Sequence, residues 1–526
     1  MGRKMCALLT AAAAVATVTA AATGCGAKPD EGQKGREEKE RTKISIAAWN
    51  AEEAFRGDEV LDAIEERFGV EIVPVNMTGD DHYQKIERWA ATGSLPDLFV
   101  GDFRNSSYYI KWIQEGLISA IPEDLSAYPH LESYLEGLML TQVTPVDGRY
   151  YCIPKQSYPS QAWTSIDRVI AYRWDLAQQA GIEREPETWE EFQEMILTII
   201  REDPEGKGVL GTTSGDATFF SGILLPYASS IAVSDGNGFF WKLDEDGVYR
   251  PVYFAEDLTD AFQLGRDMYQ SGVIERDVLL QTGSSAQEKF LRGENAAILY
   301  SGGYGGLYRE MSAYWEEYHD GHDYTEDVKA LKLMPDKSGN KAYPVWGYAW
   351  SESYISAKAG EEKLDKILQI YDYLLSDEGA FFASYGPEGD LYTMVDGKVR
   401  LHDDRLSVVE KYPSCGIFSN LVRWFPDTYD DRFTADIPES YDIVNRELMR
   451  EAEAVPIPEY EPECSNIVKE EQIDFTIHVG DDFLRIMTGA EPVEEMWEEI
   501  KGEYEERGLQ EVIDRVNAAM RERQNP

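Results

Sequence analysis

Residues 44–103 read ISIAAWNAEEAFRGDEVLDAIEERFGVEIVPVNMTGDDHYQKIERWAATGSLPDLFVGDF, and the spacing of apolar side chains changes period repeatedly along this run. It predicts a strand over 44–49, then a helix over 59–68 with Val60, Leu61, Ile64 and Phe68 on one face. A strand over 70–77, a helix over about 83–91 and a strand over 98–100 follow. Neighbouring parallel strands need a crossover between them, and alternating helices supply it, so the run predicts an α/β fold with an open, mostly parallel sheet. Ligands of such sheets bind beyond the carboxyl ends of the strands. That rule places Trp49, Asn50, Asp102 and Phe103 at the rim of a crevice. The competing structural uses are core packing for Trp49 and Phe103 and helix capping for Asp102.

Working outward to the N-terminal side, Arg3 and Lys4 precede an apolar stretch over 7–22, then Thr23, Gly24 and Cys25. The stretch is shorter than the roughly 20 strongly apolar residues of a membrane span. It predicts a signal peptide over 1–24, processed as in lipoproteins, with Cys25 as the lipid-attachment residue. Ala22 stands three residues before that cysteine, where such sites usually carry Leu. Residues 26–41, GAKPDEGQKGREEKER, have almost nothing to bury and read, with Cys25, as a lipid-anchored, solvated tether. Of the five cysteines, Cys152, Cys415 and Cys464 remain for the folded body, so at most one disulfide can form.

The body is far longer than one ordinary domain, and 43% hydrophobic with 12% aromatic residues supplies material for two cores. A formal charge of -47 excludes nucleic acid and anionic membrane surfaces as partners. Further along, Thr188 and Glu191 have the spacing of a capping box, which starts a helix at Trp189, and Gly181 fits the left-handed stop of a helix over 171–180. Asp-Gly within LDEDGVYR, residues 243–250, reads as a hairpin turn between β-prone runs rather than half a calcium loop. HDGHD at 319–323 matches no standard zinc spacing, so no metal is expected there. Near the C-terminus Met496, Ile500 and Tyr504, and then Leu509, Val512, Val516 and Met520, recur at helical spacing as core stripes.

Five stretches, taken in order, carry a resemblance: ATGSLPDLFV (91–100), VDGRYYCIPKQ (146–156), AYRWDLAQQAGIEREPETWEEF (171–192), KFLRGENAAILYSGGYG (289–305) and LLSDEGAFFASYGPEGDLY (374–392). Together they resemble the extracellular solute-binding proteins of family 1, the type that serves carbohydrate ABC importers. The resemblance implies a two-lobe, type II periplasmic-binding-protein-like fold, each lobe an open, mostly parallel sheet flanked by helices, with hinge strands between. By that pattern lobe one holds 42–165 and 344–400, and lobe two holds 166–343 and 401–526. The family pattern also implies a sugar or oligosaccharide held between the lobes and delivered to an ABC permease, with closure as the signal. A monomer outside the cytoplasm, tied to the membrane by lipid alone and using no cofactor, completes the expectation.

Sugar capture needs flat aromatic faces against pyranose C–H patches and planar polar groups for the hydroxyls. Aromatic residues in the loops of the family-like pattern are therefore candidates: Trp163 in SYPSQAWTS, Tyr304 in SGGYGG, and Trp346 and Trp350 in VWGYAWSES. Glu352, beside Trp350, is a candidate hydroxyl acceptor, its alternative being a solvated loop charge. Trp424 with Arg423 is a further aromatic and cationic pair with an ordinary structural use. A secreted glycoside hydrolase, with two carboxylates across a sugar cleft, is the alternative class. No G-x-S-x-G, HExxH or P-loop is present, and no catalytic residue is assigned. A binding protein for a peptide or other small solute is the alternative within the same class.

Overall fold

The computed structural model describes residues 41–524, apart from 79–80, 105, 143–144, 158–160, 216–218, 232–239, 256–257, 346–348, 403–404, 424–431, 434–437, 472 and 474. The expected signal peptide, Cys25, Trp346 and Trp424 lie outside the described residues. In chain order the strands are β1 (Thr42–Trp49), β2 (Val70–Met77), β3 (Leu98–Gly101), β4 (Ile153–Gln156), β5 (Arg168–Arg173), β6 (Leu210–Ser214), β7 (Trp241–Leu243), β8 (Tyr249–Pro251), β9 (Asn295–Ser301), β10 (Val328–Ala330), β11 (Ala349–Ile355), β12 (Tyr392–Val395) and β13 (Lys398–Leu401).

The opening stretch folds as its periodicity predicts. Asp58 caps the helix Glu59–Phe68 by accepting the amides of Val60 and Leu61, and Gly69 ends it at φ 65. The helix faces the sheet through Val60, Leu61 and Ile64. The first sheet runs β2-β1-β3-β11-β4. β1 is parallel to β2 and β3, and β11 is antiparallel to both β3 and β4.

The second sheet runs β10-β5-β9-β6, and only the β6–β9 pair is parallel. The expectation of mostly parallel sheets in both lobes is corrected here. Helices Thr259–Ser271 and Gly283–Leu291 cross from β6 to β9, whereas β5 enters from the first sheet and meets β9 head to tail. The fold is therefore a two-lobe α/β architecture built on mixed sheets.

Each sheet has its own core. Ile44, Ile46, Val70, Leu98, Ile153 and Ile355 pack with Leu368, Tyr371 and Leu374 around the first. Phe192, Ile196, Phe262, Leu299, Phe483 and Trp497 pack around the second, and the C-terminal stripe of Met496, Ile500, Tyr504, Val512, Val516 and Met520 is buried there. Ile417, Phe418, Leu421, Val422 and Phe433 join the first core, so we place the last crossing between lobes beyond Phe433 rather than at 401. Between the first two crossings, the Thr164 hydroxyl donates to the Pro344 carbonyl at 2.8 Å. Cys152, Cys415 and Cys464 are buried free thiols.

Two local motifs show how sequence sets these elements. Strands β7 and β8 form the expected hairpin, with Asp244 accepting the amides of Asp246 and Val248 in the turn. Thr188 caps the helix Trp189–Glu202 by accepting the Glu191 amide at 3.2 Å. The return half of the capping box differs from expectation, because Glu191 accepts the amide of Glu187 at 2.8 Å and pairs with Arg184. One hydroxyl cap then remains to lose, and Thr188→Ala should lower stability by about 1 kcal/mol in urea denaturation. No change in the transition midpoint would show that the first turn needs no cap.

Candidate functional site

The register of the first sheet brings four strand ends to one edge. β1 and β3 both end there, at Trp49 and Gly101, with Asp102 next. β11 starts there, because it is antiparallel to β3 with Glu352 opposite Gly101. β4 ends there too, Gln156 lying opposite Ala349. The end of β2 leads into the helix His82–Thr92, whose first turn carries His82 and Tyr83.

The Trp49 and Trp350 rings stack 5.9 Å apart at 15°. His82 sets its ring edge against Trp49 at 5.6 Å, and Tyr83 lies 4.0 Å from His82. The Trp350 indole N–H donates to Asp102 Oδ2 at 3.1 Å, while the side chain stays 44% exposed. Lys155 lies beneath the pair, 2% exposed, with Nζ 5.3 Å from the Trp49 ring and 5.9 Å from Trp350. A cation there faces the negative quadrupole of both indoles. Burial holds its ammonium well below the usual range, with Glu352 pulling the other way.

Glu352 is the centre of the floor and is 0% exposed. Its Oε2 accepts the Phe103 amide at 3.3 Å and the Tyr354 hydroxyl at 2.8 Å, and its Oε1 lies 3.0 Å from Arg104 Nε. Arg104 Nη2 in turn donates to the Ala349 carbonyl at 2.7 Å. Burial pushes the Glu352 carboxyl up to about 7, Arg104 opposing and Asp102 reinforcing.

Several sequence candidates are thus relocated. Trp49, Asp102 and Trp350 come together as one cluster. Asn50 is exposed beside them, in the left-handed region at φ 57, and begins the short helix Ala51–Ala54 without a side-chain cap. Phe103 is not at the rim: it is 1% exposed and packs on Trp112 at 4.7 Å. Gly101 explains the turn inward, since a Cβ there would stand 2.6 Å from the Phe103 ring. Glu352 is neither a loop acceptor nor a solvated charge but a buried strand residue. Trp163 sits in the turn Gln161–Ile166, half-buried against the core that includes Val169, Tyr300 and Leu307, away from the first-sheet cluster's core. Tyr304 lies in the first turn of the helix Gly303–Tyr318 after β9, and its side chain lies outside the described residues.

His82, Tyr83, Arg104 and Lys155 were not candidates from sequence. His82 and Tyr83 follow the carboxyl end of β2, so the strand-end rule that selected Trp49 would have found them. Arg104 directly follows Asp102 and Phe103. Nothing local marks Lys155, a lysine within a strand.

His319 Nε2 bonds the Leu291 carbonyl at 2.8 Å, and His322 Nδ1 lies 3.1 Å from the Asp327 carboxylate. Asp175, His322 and Asp327 bring ligand-type atoms within 4.8 Å of one another. Both carboxylates are already engaged, Asp175 by the Arg173 guanidinium at 2.7 and 2.6 Å and Asp327 by the Trp315 indole at 2.8 Å.

Two α/β lobes joined by repeated crossings, with an aromatic cluster at the strand ends, define a type II solute-binding protein. The chain matches the family of bacterial extracellular solute-binding proteins over residues 59–384, and it belongs to that family. It is 21% identical over 420 residues to lipoprotein LipO of Bacillus subtilis (strain 168), covering 77% of this chain and 78% of LipO. The crystal structure of alginate-binding protein AlgQ2 without calcium ion superposes with a TM-score of 0.68 at 15% identity, over 91% of this chain and 98% of that one. The substrate-binding protein FusA of S. pneumoniae, in complex with kestose, gives 0.67 at 15% identity over 92% and 99%. Among the described residues no helix is long and apolar enough to cross a membrane, and the family places the chain outside the cytoplasm.

Proposed function

We propose that this solute-binding protein captures a sugar or oligosaccharide between its lobes and delivers it, unaltered, to an ABC permease. The observation that carries the reading is the exposed face of Trp350, held parallel to Trp49 and oriented by its bond to Asp102. A fixed indole face suits the C–H side of a pyranose, and Asp102 beside it suits a hydroxyl. Tyr83 and Asn50 extend this surface on the first lobe. Trp163, Tyr304 and Trp346 are the proposed contacts from the crossings and the second lobe. The structural relatives are named for alginate and seen with kestose, which supports a saccharide ligand. Glu352 is the carboxyl nearest in character to a catalytic acid, yet at 0% exposure it cannot reach a glycosidic oxygen, which supports binding without turnover.

A thermal-shift screen against fructo-, manno- and uronate oligosaccharides, with product analysis on the same samples, tests this reading. At least one glycan should raise the melting temperature and come back intact. Cleavage at catalytic rates sinks the binding role, and peptides raising the melting temperature where no sugar does sinks the ligand class.

We further propose that the protein is a monomer anchored through lipid on Cys25, a reading supported by the lipoprotein relative. Expressed from its full sequence, the Cys25→Ser variant should leave the membrane fraction for the soluble extracytoplasmic fraction. Membrane retention equal to the parent's would remove the anchor.

A further inference from the structure

The cluster at the strand ends contains more ties than a binding surface alone requires. The segments 102–104 and 349–352 are joined at four points: Trp350 Nε1 to Asp102, the Phe103 amide to Glu352, Arg104 Nη2 to the Ala349 carbonyl, and Arg104 Nε to Glu352 Oε1. Two of the four end on one carboxylate. Ser157 adds a tie from the hinge side, donating to the Trp350 carbonyl at 3.2 Å.

We propose that Glu352 is a positioning residue for the Trp49–Trp350 platform, which grips the 102–104 segment while it is a carboxylate and loosens it when protonated. The inference rests on the platform being the ligand surface, although the residue itself touches no ligand. As a carboxylate Glu352 accepts from the Phe103 amide and the Tyr354 phenol while its other oxygen pairs in charge with the Arg104 guanidinium, and hydrogen bonds to a charged acceptor are roughly twice as strong as neutral ones. A protonated carboxyl loses the ion pair with Arg104. Arg104 then holds the Ala349 carbonyl alone, and Asp102 loses the neighbour that fixes its backbone opposite Trp350.

The groups facing Glu352 determine when this happens. Arg104 and Asp102 approach from the end of β3, Lys155 from β4 and Cys152 from the residue before it, Tyr354 from its own strand, Tyr109 from the helix Ser107–Gln114 and Tyr83 from the helix His82–Thr92. Burial pushes the Cys152 thiol and the Tyr83, Tyr109 and Tyr354 phenols up, so these stay protonated near neutrality. Lys155, whose burial acts in the opposite direction, is the other group able to change charge. The carboxyl of Glu352, raised to about 7, is the one that directly holds the 102–104 segment.

Near-ultraviolet circular dichroism reads the stacked indoles without any ligand. The parent protein, titrated from pH 9 to pH 5, should lose intensity in its tryptophan bands along a single sigmoid centred near pH 7, with the far-ultraviolet spectrum constant. Glu352→Gln should show the weakened bands at every pH, and Glu352→Asp, which restores the charge, should recover a transition. A parent spectrum flat from pH 5 to 9 overturns the proposal, whatever the variants do. A transition that persists in Glu352→Gln also overturns it, since a group other than Glu352, such as Lys155, would then be responsible. No glycan enters this measurement, so its failure leaves the saccharide reading standing, and an unsuccessful glycan screen leaves this one standing.

Discussion

Glu352→Gln should make the protein harder to unfold at pH 8 by about 3 kcal/mol, and should leave it no more stable than the parent once the pH falls below about 4. The ordinary value for this carboxyl is 4.5, and in the folded chain burial raises it to about 7. For an acid so shifted, the folded state holds the proton more tightly than the unfolded state does. The stability it contributes is full below about pH 4.5, is lost as the pH rises between 4.5 and 7, and is absent above 7. A shift of that size corresponds to about 3 kcal/mol. Glutamine reproduces the protonated form, keeps the side chain's length and never ionises. Urea denaturation of both proteins at pH 4, 6 and 8 measures the difference. A variant less stable than the parent at pH 8 would show that the Arg104 pair outweighs desolvation, contrary to the direction argued above. The same substitution is expected to loosen the platform, so folding stability and ligand affinity should move in opposite directions at this one position.

Trp350→Ala is expected to weaken binding of the tightest panel glycan by about 2 kcal/mol or more, roughly 30-fold, by calorimetry. The indole is the exposed half of the stacked pair, so truncation removes contact area from the ligand rather than from the core. Its loss also frees Asp102 from the indole N–H. Stability should fall by only about 1 kcal/mol, the worth of a partly exposed aromatic pair. Affinity unchanged in Trp350→Ala would remove the platform from the ligand site, whatever the fold does. Trp49→Ala should weaken binding too, and because Trp49 supports Trp350 from behind, the two losses should not add.

The contrast between Phe103 and Trp49 shows how far the sequence could be read. Both sit at strand ends, and the rule for open sheets selects both. Whether such a residue faces the crevice or the core depends on its neighbours in space. Gly101 leaves a space beside the strand, and the Phe103 ring folds back into it. Trp49 meets Trp350, which arrives from 301 residues further along the chain, and no local pattern announces that meeting. Periodicity gave the strands and helices of the opening stretch, because each is stabilised by neighbours three or four residues away or by alternation. The direction of β5 and β9 was not legible, since it is decided by where the chain enters the second sheet. Glu352 was selected for its charge and its place beside an aromatic loop. Its actual environment is set by Arg104 and Tyr354, and only the folded register brings Arg104 into reach.

The hydrogen bond from Thr164 to the Pro344 carbonyl has a mechanical meaning. Two separate strands of chain between rigid bodies would permit twisting as well as bending. Two crossings tied to each other, by this bond and by the Ser157 hydroxyl donating to the Trp350 carbonyl, resist relative twisting more than two untied segments would. Sliding one crossing along the other must stretch or break these bonds. One hydroxyl thus ties the outgoing crossing to the returning one, a restraint on twisting between the two segments that is separate from the packing of either core.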